Sequence, residues 1–226
     1  MNQQSVGGLG PARRIEVDPE RIAAWVNGFA ERHAHIGSLV VAPDASSVSL
    51  SAADGATAVL EPFTAGGSDG PAGLRELAGW ARPPRRLGLI LVRRGGYGVG
   101  LARGPELVDH KVGTRYVQSR TAAGGWSQHR FARRRDNQAR ALVGSVIEHT
   151  RALVLASPTD ALVVGGDRSL VREVMADPRL AILARLPRRE LFDLPDPRLV
   201  VLTQALRRGR AVVITLSEPR TGVLNS

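Results

Sequence analysis

The chain has 226 residues, 43% of them hydrophobic and none of them cysteine, and a formal net charge of +10. Ordinary apolar content predicts a packed core, and the absence of cysteine excludes disulfides and thiolate zinc sites and suits a reducing compartment. No apolar run approaches the roughly 20 residues that span a bilayer, and the opening MNQQSVGGLGPARR lacks an apolar signal core, so a cytoplasmic protein is expected.

Residues 1–15 read as a loose tail, followed by a single domain over 16–226. Asp18-Pro19-Glu20 starts a helix in which Ile22, Trp25, Val26 and Phe29 recur at helical spacing to about His35. Short strands follow at 39–42, 46–51 and 57–62, separated by Pro43-Asp44 and Asp54-Gly55 turns. A Gly-rich loop (64–73) and a short helix (74–81) come next. LGLILVRR (87–94) is the compact apolar run of a buried central strand. It folds back on GYGVGLARG as a hairpin, and 106–117 alternates as the third strand of a meander. After a loop at 118–130, Leu142, Val143, Val146, Ile147, Leu153 and Val154 mark one face of a long helix over roughly 131–156. ALVVGGD (161–167) is a second buried strand, and a helix at 169–175 is capped by Asp167 or Ser169. The stretch 180–195 holds a strand and a Pro-bounded loop, 197–208 a helix stopped by Gly209, and 211–216 a last strand. The fold class is α/β (α+β), a mixed sheet with packed helices.

The charge is unevenly spread. Between residues 111 and 140 stand Lys111, Arg115, Arg120, Arg130, Arg133, Arg134, Arg135 and Arg140 against the single acid Asp136, which is +7 of the total +10. Lys111 is the only lysine; arginine suits bidentate phosphate contacts. A charge run is often only a solvated helix face, but Arg130, Arg133, Arg134 and Arg135 begin a helix, where the macrodipole disfavours cations. A nucleic-acid backbone is the partner this placement predicts.

Other constellations point less clearly. GGYGVG (95–100) has the wrong spacing for a dinucleotide loop and no helix behind it, so it reads as a hairpin turn; P-loop and G-x-S-x-G patterns are absent. His33 and His35 have no metal partners in sequence. Asp109, Asp136, Asp160 and Asp167 could form a two-metal nuclease cluster, but each has a simpler task at a strand end, cap or turn. Trp126 divides evenly between burial against the sheet and exposure as a stacking platform. Gln128 cannot serve as a general base, because its amide does not titrate near neutral pH. It can orient water or donate to an oxyanion, as can backbone NH groups around it. That chemistry suits a substrate with its own reactive hydroxyl, such as a tRNA 3′ end.

The stretch GTRYVQSRTAAGGWSQHRFARRRDNQ, with Gly125-Trp126-Ser127-Gln128 as a G-x-x-Q before a long helix, resembles the catalytic loop of the actinobacterial Vms-like release factors. These are relatives of the middle domain of eukaryotic class-1 release factors, whose loop carries Gly-Gly-Gln. ALVVGGD and its helix also resemble the strand–turn–helix of that superfamily, and the likeness is strongest over about 87–177. The resemblance implies an RNase H-like fold and metal-independent peptidyl-tRNA hydrolysis on stalled large ribosomal subunits, within ribosome-associated quality control. Gln128 takes the place of the family's glutamine, with Gly124, Gly125 and Ser127 completing the catalytic loop. Lys111, Arg115, Arg120, Trp126, His129, Arg130, Arg133, Arg134 and Arg135 form the expected contacts to rRNA and the tRNA 3′ end. No cofactor is implied, and a monomer is expected. Trp126-Ser127 separate the glycines from the glutamine, unlike Gly-Gly-Gln. Two alternatives stay open: a tRNA 3′-end endonuclease with the same docking, and a non-catalytic rRNA- or tRNA-binding module.

Overall fold

A computed structural model describes residues 10–63, 69–114 and 127–219, with the side chains of the long helix described from 137 onward. The first half of the chain forms β1 (Arg13–Val17), α1 (Ile22–Arg32), β2 (Ile36–Val41), β3 (Val48–Ala52), β4 (Thr57–Glu61) and α2 (Leu74–Trp80). The second forms β5 (Arg86–Arg93), β6 (Gly96–Arg103), β7 (Glu106–Thr114), α3 (Ser127–Thr150), β8 (Ala161–Gly166), α4 (Arg168–Met175), β9 (Arg188–Leu191), α5 (Leu199–Arg210) and β10 (Val212–Ser217). They make two five-stranded sheets in an α/β architecture. Residues 1–83 with 210–226 form one compact unit and 84–209 another, in place of the single domain expected over 16–226.

The first unit holds an antiparallel sheet in the order β1-β10-β4-β3-β2. Period-2 alternation explains its single buried face: Val48, Leu50 and Ala52 of β3 point inward while Ser49 and Ser51 are partly exposed. Ile22, Val26 and Phe29 of α1 and Leu77 of α2 bury against Leu50, Leu60 and Ile214. Residues 13–15, read above as tail, belong instead to β1. Arg13–Val17 pairs with β10 residue for residue, a partner nearly the whole chain away that no local pattern signals. His33 is likewise structural. It is buried, and its Nδ1 lies 2.7 Å from the Asp54 carboxylate, which also accepts the Ala56 amide at 2.9 Å. The Ala56 amide first, and His33 second, hold the Asp54 carboxyl below its ordinary value.

The second unit carries the mixed sheet, in the order β7-β6-β5-β8-β9, with an antiparallel β5-β6-β7 meander and β8 and β9 parallel to β5. Residues 87–92 and the whole of β8 are buried, which is why both read as continuous apolar runs. One face packs Ile90, Val92 and Val164 against Leu142, Val146 and Ile147 of α3 and Leu170 and Val174 of α4. The opposite face receives α5, whose Leu202 lies over Gly98 and Gly100. Gly209 is not a helix stop: α5 runs through it to Arg210, and a Cβ there would come 2.4 Å from the Val163 side chain. Close approach of helix to sheet, not termination, requires this glycine. Gly166 ends β8 at φ +100°, where a Cβ would meet the Val92 carbonyl oxygen at 2.2 Å, so the turn into α4 admits only glycine without rearrangement.

Candidate nucleic-acid interface and catalytic loop

The long helix begins at Ser127, four residues before the start expected at 131, and ends in a π-type turn, Arg151–Leu155, in place of regular helix to 156. Ser127, Gln128, His129 and Arg130 therefore make up its first turn, and Arg133, Arg134 and Arg135 follow in the next. Backbone NH groups in a first helical turn lack intrahelical acceptors and form the positive end of the helix dipole. No acid stands in this first turn. Because the dipole effect falls off within one turn, its penalty bears on Arg130 alone. Arg133 and Arg134 follow Arg130 at i,i+3 and i,i+4, the spacing at which like charges on a helix are unfavourable.

The anchoring half of α3 lies further along. Ala139 is the first described α3 residue packed on the core, and Leu142 the first that is fully buried. Leu142 follows Gln128 by 14 residues, so the two stand about 21 Å apart along the axis at about 1.5 Å per residue. The chain divides its charge in the same sense. The first unit carries eight basic and ten acidic residues, a net of −2, whereas the second carries 23 basic and 11 acidic residues, a net of +12.

Lys111 is exposed on β7, paired with Val99 of β6. Arg115, Arg120, Gly124, Gly125 and Trp126 lie outside the described residues, so neither reading of Trp126 is decided. The four aspartates of the nuclease alternative are not brought together by the described contacts. Asp109 accepts the amide of His110 at 2.7 Å. Asp160 pairs with Arg86 at 2.5 Å and also accepts its backbone amide. Asp167 caps α4 through the Ser169 amide at 3.0 Å and the Ser169 hydroxyl at 2.7 Å. The Arg86 hydrogen bond lowers the Asp160 carboxyl, and the Ser169 hydrogen bond lowers that of Asp167. The Asp136 side chain is not among those described. Among the described residues no group of three or more His, Asp or Glu side chains is placed to hold a metal ion, and no helix is long and apolar enough to cross a membrane.

One group escaped the sequence reading. Tyr97 is buried, stacks on His149 of α3 with ring centroids 5.4 Å apart, and covers Gly113, where a Cβ would come 2.4 Å from its ring. Beside Tyr97 on β6, Gly96 pairs with Thr114, and a Cβ there would meet the Gly113 carbonyl oxygen at 2.6 Å. This packing closes the last pairs of β6 and β7, immediately before the residues that lead to Gln128. The alternating glycines of GGYGVG signalled it, but they were read only as a hairpin turn.

An α/β protein with its excess positive charge confined to the unit that carries a long, arginine-rich helix is the class these features define. Within that class, the chain belongs to the family described as Actinobacteria/chloroflexi VLRF1 release factor, whose model matches residues 85–215. It is thus a release-factor-family protein of translation. Among solved structures it is similar to the "Vms1 mitochondrial localization core", with 11% identity, 86% of this chain and 80% of that one covered, and a TM-score of 0.45. It is also similar to the archaeal translation termination factor aRF1, with 13% identity, 88% and 64% coverage, and a TM-score of 0.40. A search of curated proteins gave no match.

Proposed function

We propose that this protein is a cytoplasmic ribosome-rescue factor that frees nascent chains from peptidyl-tRNA on stalled large ribosomal subunits, acting as a metal-independent peptidyl-tRNA hydrolase. Gln128 in the first turn of a basic 24-residue helix, in a chain of a release-factor family, carries this conclusion. Arg130, Arg133, Arg134 and Arg135, with Lys111, Arg115 and Arg120, grip rRNA and tRNA phosphates, and His129 and Trp126 add contacts to the bases. The Gln128 amide orients a water molecule, or the neighbouring ribose hydroxyl, at the ester carbonyl. As the oxygen attacks, the carbonyl takes up negative charge, and NH groups at the helix start and in the Gly124-Gly125 segment stabilise it. With water as nucleophile, the bond between the acyl carbon and the ribose oxygen breaks. The peptide leaves as a carboxylic acid and the tRNA regains its terminal hydroxyl.

Purified large subunits bearing a labelled peptidyl-tRNA test this directly. The expected products are free peptide and a tRNA of full length. Peptide still esterified to a tRNA fragment would replace hydrolysis by tRNA 3′-end cleavage. Tight binding without either product would leave an RNA-binding module.

A further inference from the structure

Four strands stand at the edges of the two sheets, and three of them are guarded by charge. β1 carries Arg13, Arg14 and Glu16; β7 carries Glu106, Asp109 and Lys111; β9 carries Arg188, Arg189 and Glu190. Charged side chains on an edge are how proteins deter the addition of a further strand. β2 reads IGSLVV and has none. A bulge between Ile36 and Ser38 leaves Ser38–Val41 as its regular part, Val40 is 60% exposed, and no described residue pairs with its outer side.

What surrounds the far end of β2 sets the kind of partner. Asp44, in the turn after β2, is exposed, held below its ordinary pKa first by the Ser46 hydroxyl, and in no ion pair among the described residues. Gly70 packs directly on Val41, since a Cβ there would fall 2.1 Å from it. Gly70 also lines a hollow of about 520 Å³ with Asp69, Glu76, Trp80 and Arg82, two acidic residues against one basic one, where the Glu76 carboxylate also accepts the Ala72 amide at 3.0 Å. The unit as a whole is net −2, which repels nucleic acid while the other unit attracts it.

We infer that the outer edge of β2, which no described residue pairs, is a docking site for an extended peptide segment of a protein partner, uncharged along Ser38–Val41 and ending in a lysine or arginine that enters the Asp69–Glu76 hollow beside Trp80. Main-chain hydrogen bonds to an edge strand supply affinity, and the side-chain hollow supplies selectivity. Trp80 adds a face for the cation. A second copy of the chain is the poorer occupant, because a stable dimer buries on the order of 1,200–2,000 Å² and a ladder of four regular residues is only about 14 Å long. The site is independent of the chemistry proposed for Gln128.

The test uses the full-length protein and a labelled hexapeptide, Lys-Thr-Val-Thr-Val-Lys, with a Glu-ended counterpart. Anisotropy should show saturable binding, and hydrogen exchange should slow at residues 38–41. The Glu-ended peptide, and the Asp69→Asn/Glu76→Gln variant with the lysine peptide, should each bind about two- to fivefold more weakly, the value of an exposed ion pair worth about 0.5–1 kcal/mol. Arg133→Ala/Arg134→Ala should bind the peptide as wild type does. No protection at 38–41 with about 1 mM probe, or equal binding of both peptides, overturns the inference. Sedimentation of a two-copy species that Val40→Lys dissociates would give the edge to a second chain and overturn it as well.

Discussion

Replacing Gln128 by alanine separates the proposed chemistry from everything else the helix does. Gln128 stands about 21 Å along α3 from Leu142, so its loss opens no cavity in that core. Alanine has at least the helix propensity of glutamine, so stability should change by no more than about 0.5 kcal/mol. Docking should also hold, because the arginines supply it. The chemical step should not. Losing one preorganised water-orienting or oxyanion donor costs about 10²–10³ in rate, or about 2.7–4 kcal/mol of transition-state stabilisation. The assay is single-turnover release from purified stalled subunits, with subunit affinity measured in parallel to split rate from binding. Gln128→Glu should fail comparably: a carboxylate suits a helix start but cannot donate. A wild-type rate for Gln128→Ala would refute the mechanism. If a stably folded Asp109 or Asp167 variant then abolished cleavage, the metal-nuclease alternative would take its place.

If Arg130 and Arg133–Arg135 touch about four phosphates, log affinity for single-stranded RNA should fall against log salt with a slope of about −3, and Arg133→Ala/Arg134→Ala should flatten it by about 1.4; an unchanged slope in filter binding would reduce these residues to a solvated face. Leu142→Ala should cost about 2–5 kcal/mol in urea denaturation, since this fully buried side chain anchors α3 to the sheet; a loss below about 1 kcal/mol would mean that α3 is held elsewhere. Asp160 has its folded pKa lowered, first by the Arg86 hydrogen bond, so its contribution is present above the unfolded carboxylate value and fades as pH falls through the folded one. Asp160→Asn should therefore be less stable than wild type near neutrality, by about 0.5–1 kcal/mol for a part-exposed pair, with the two proteins converging in acid; parallel curves down to the lowest pH would show the pair to be inert.

Elements whose cause is local were legible in the sequence. β5 and β8 are buried on both faces and so appear as unbroken apolar runs, and α4 announces itself through Asp167 and an apolar face. β1 was not legible, because RRIEV is a strand only by virtue of β10, which lies nearly two hundred residues later. Gly209 misled for a related reason. A glycine near a helix end signals a cap, whereas its cause here is the neighbouring Val163 side chain, which sequence order does not reveal. The start of α3 was set too late because Ser127-Gln128-His129-Arg130 offers no acid and a cationic first turn, both contrary to helix rules. Gln128 itself could be singled out from its basic, glycine-bearing surroundings. That it stands in a helical turn could not.

The misplaced helix start bears on function, because the same residues that break the rules are those proposed to meet RNA. Arg130 against the dipole and its like-charge pairs with Arg133 and Arg134 together oppose the first turns by about 1 kcal/mol, taking about 0.3–0.5 kcal/mol for each of the three. An isolated helix could not tolerate this, but α3 also buries Leu142, Val143, Val146 and Ile147, whose combined contribution is several-fold larger at about 1.5–3 kcal/mol each. The anchored half can therefore carry a start that is electrostatically wrong in the free protein. A phosphate placed among Arg130, Arg133 and Arg134 would offset these terms, because an anion is attracted both to the dipole and to each guanidinium. On the proposed function, a penalty in the free state would thus be offset on the ribosome, at the helix turn that contains Gln128.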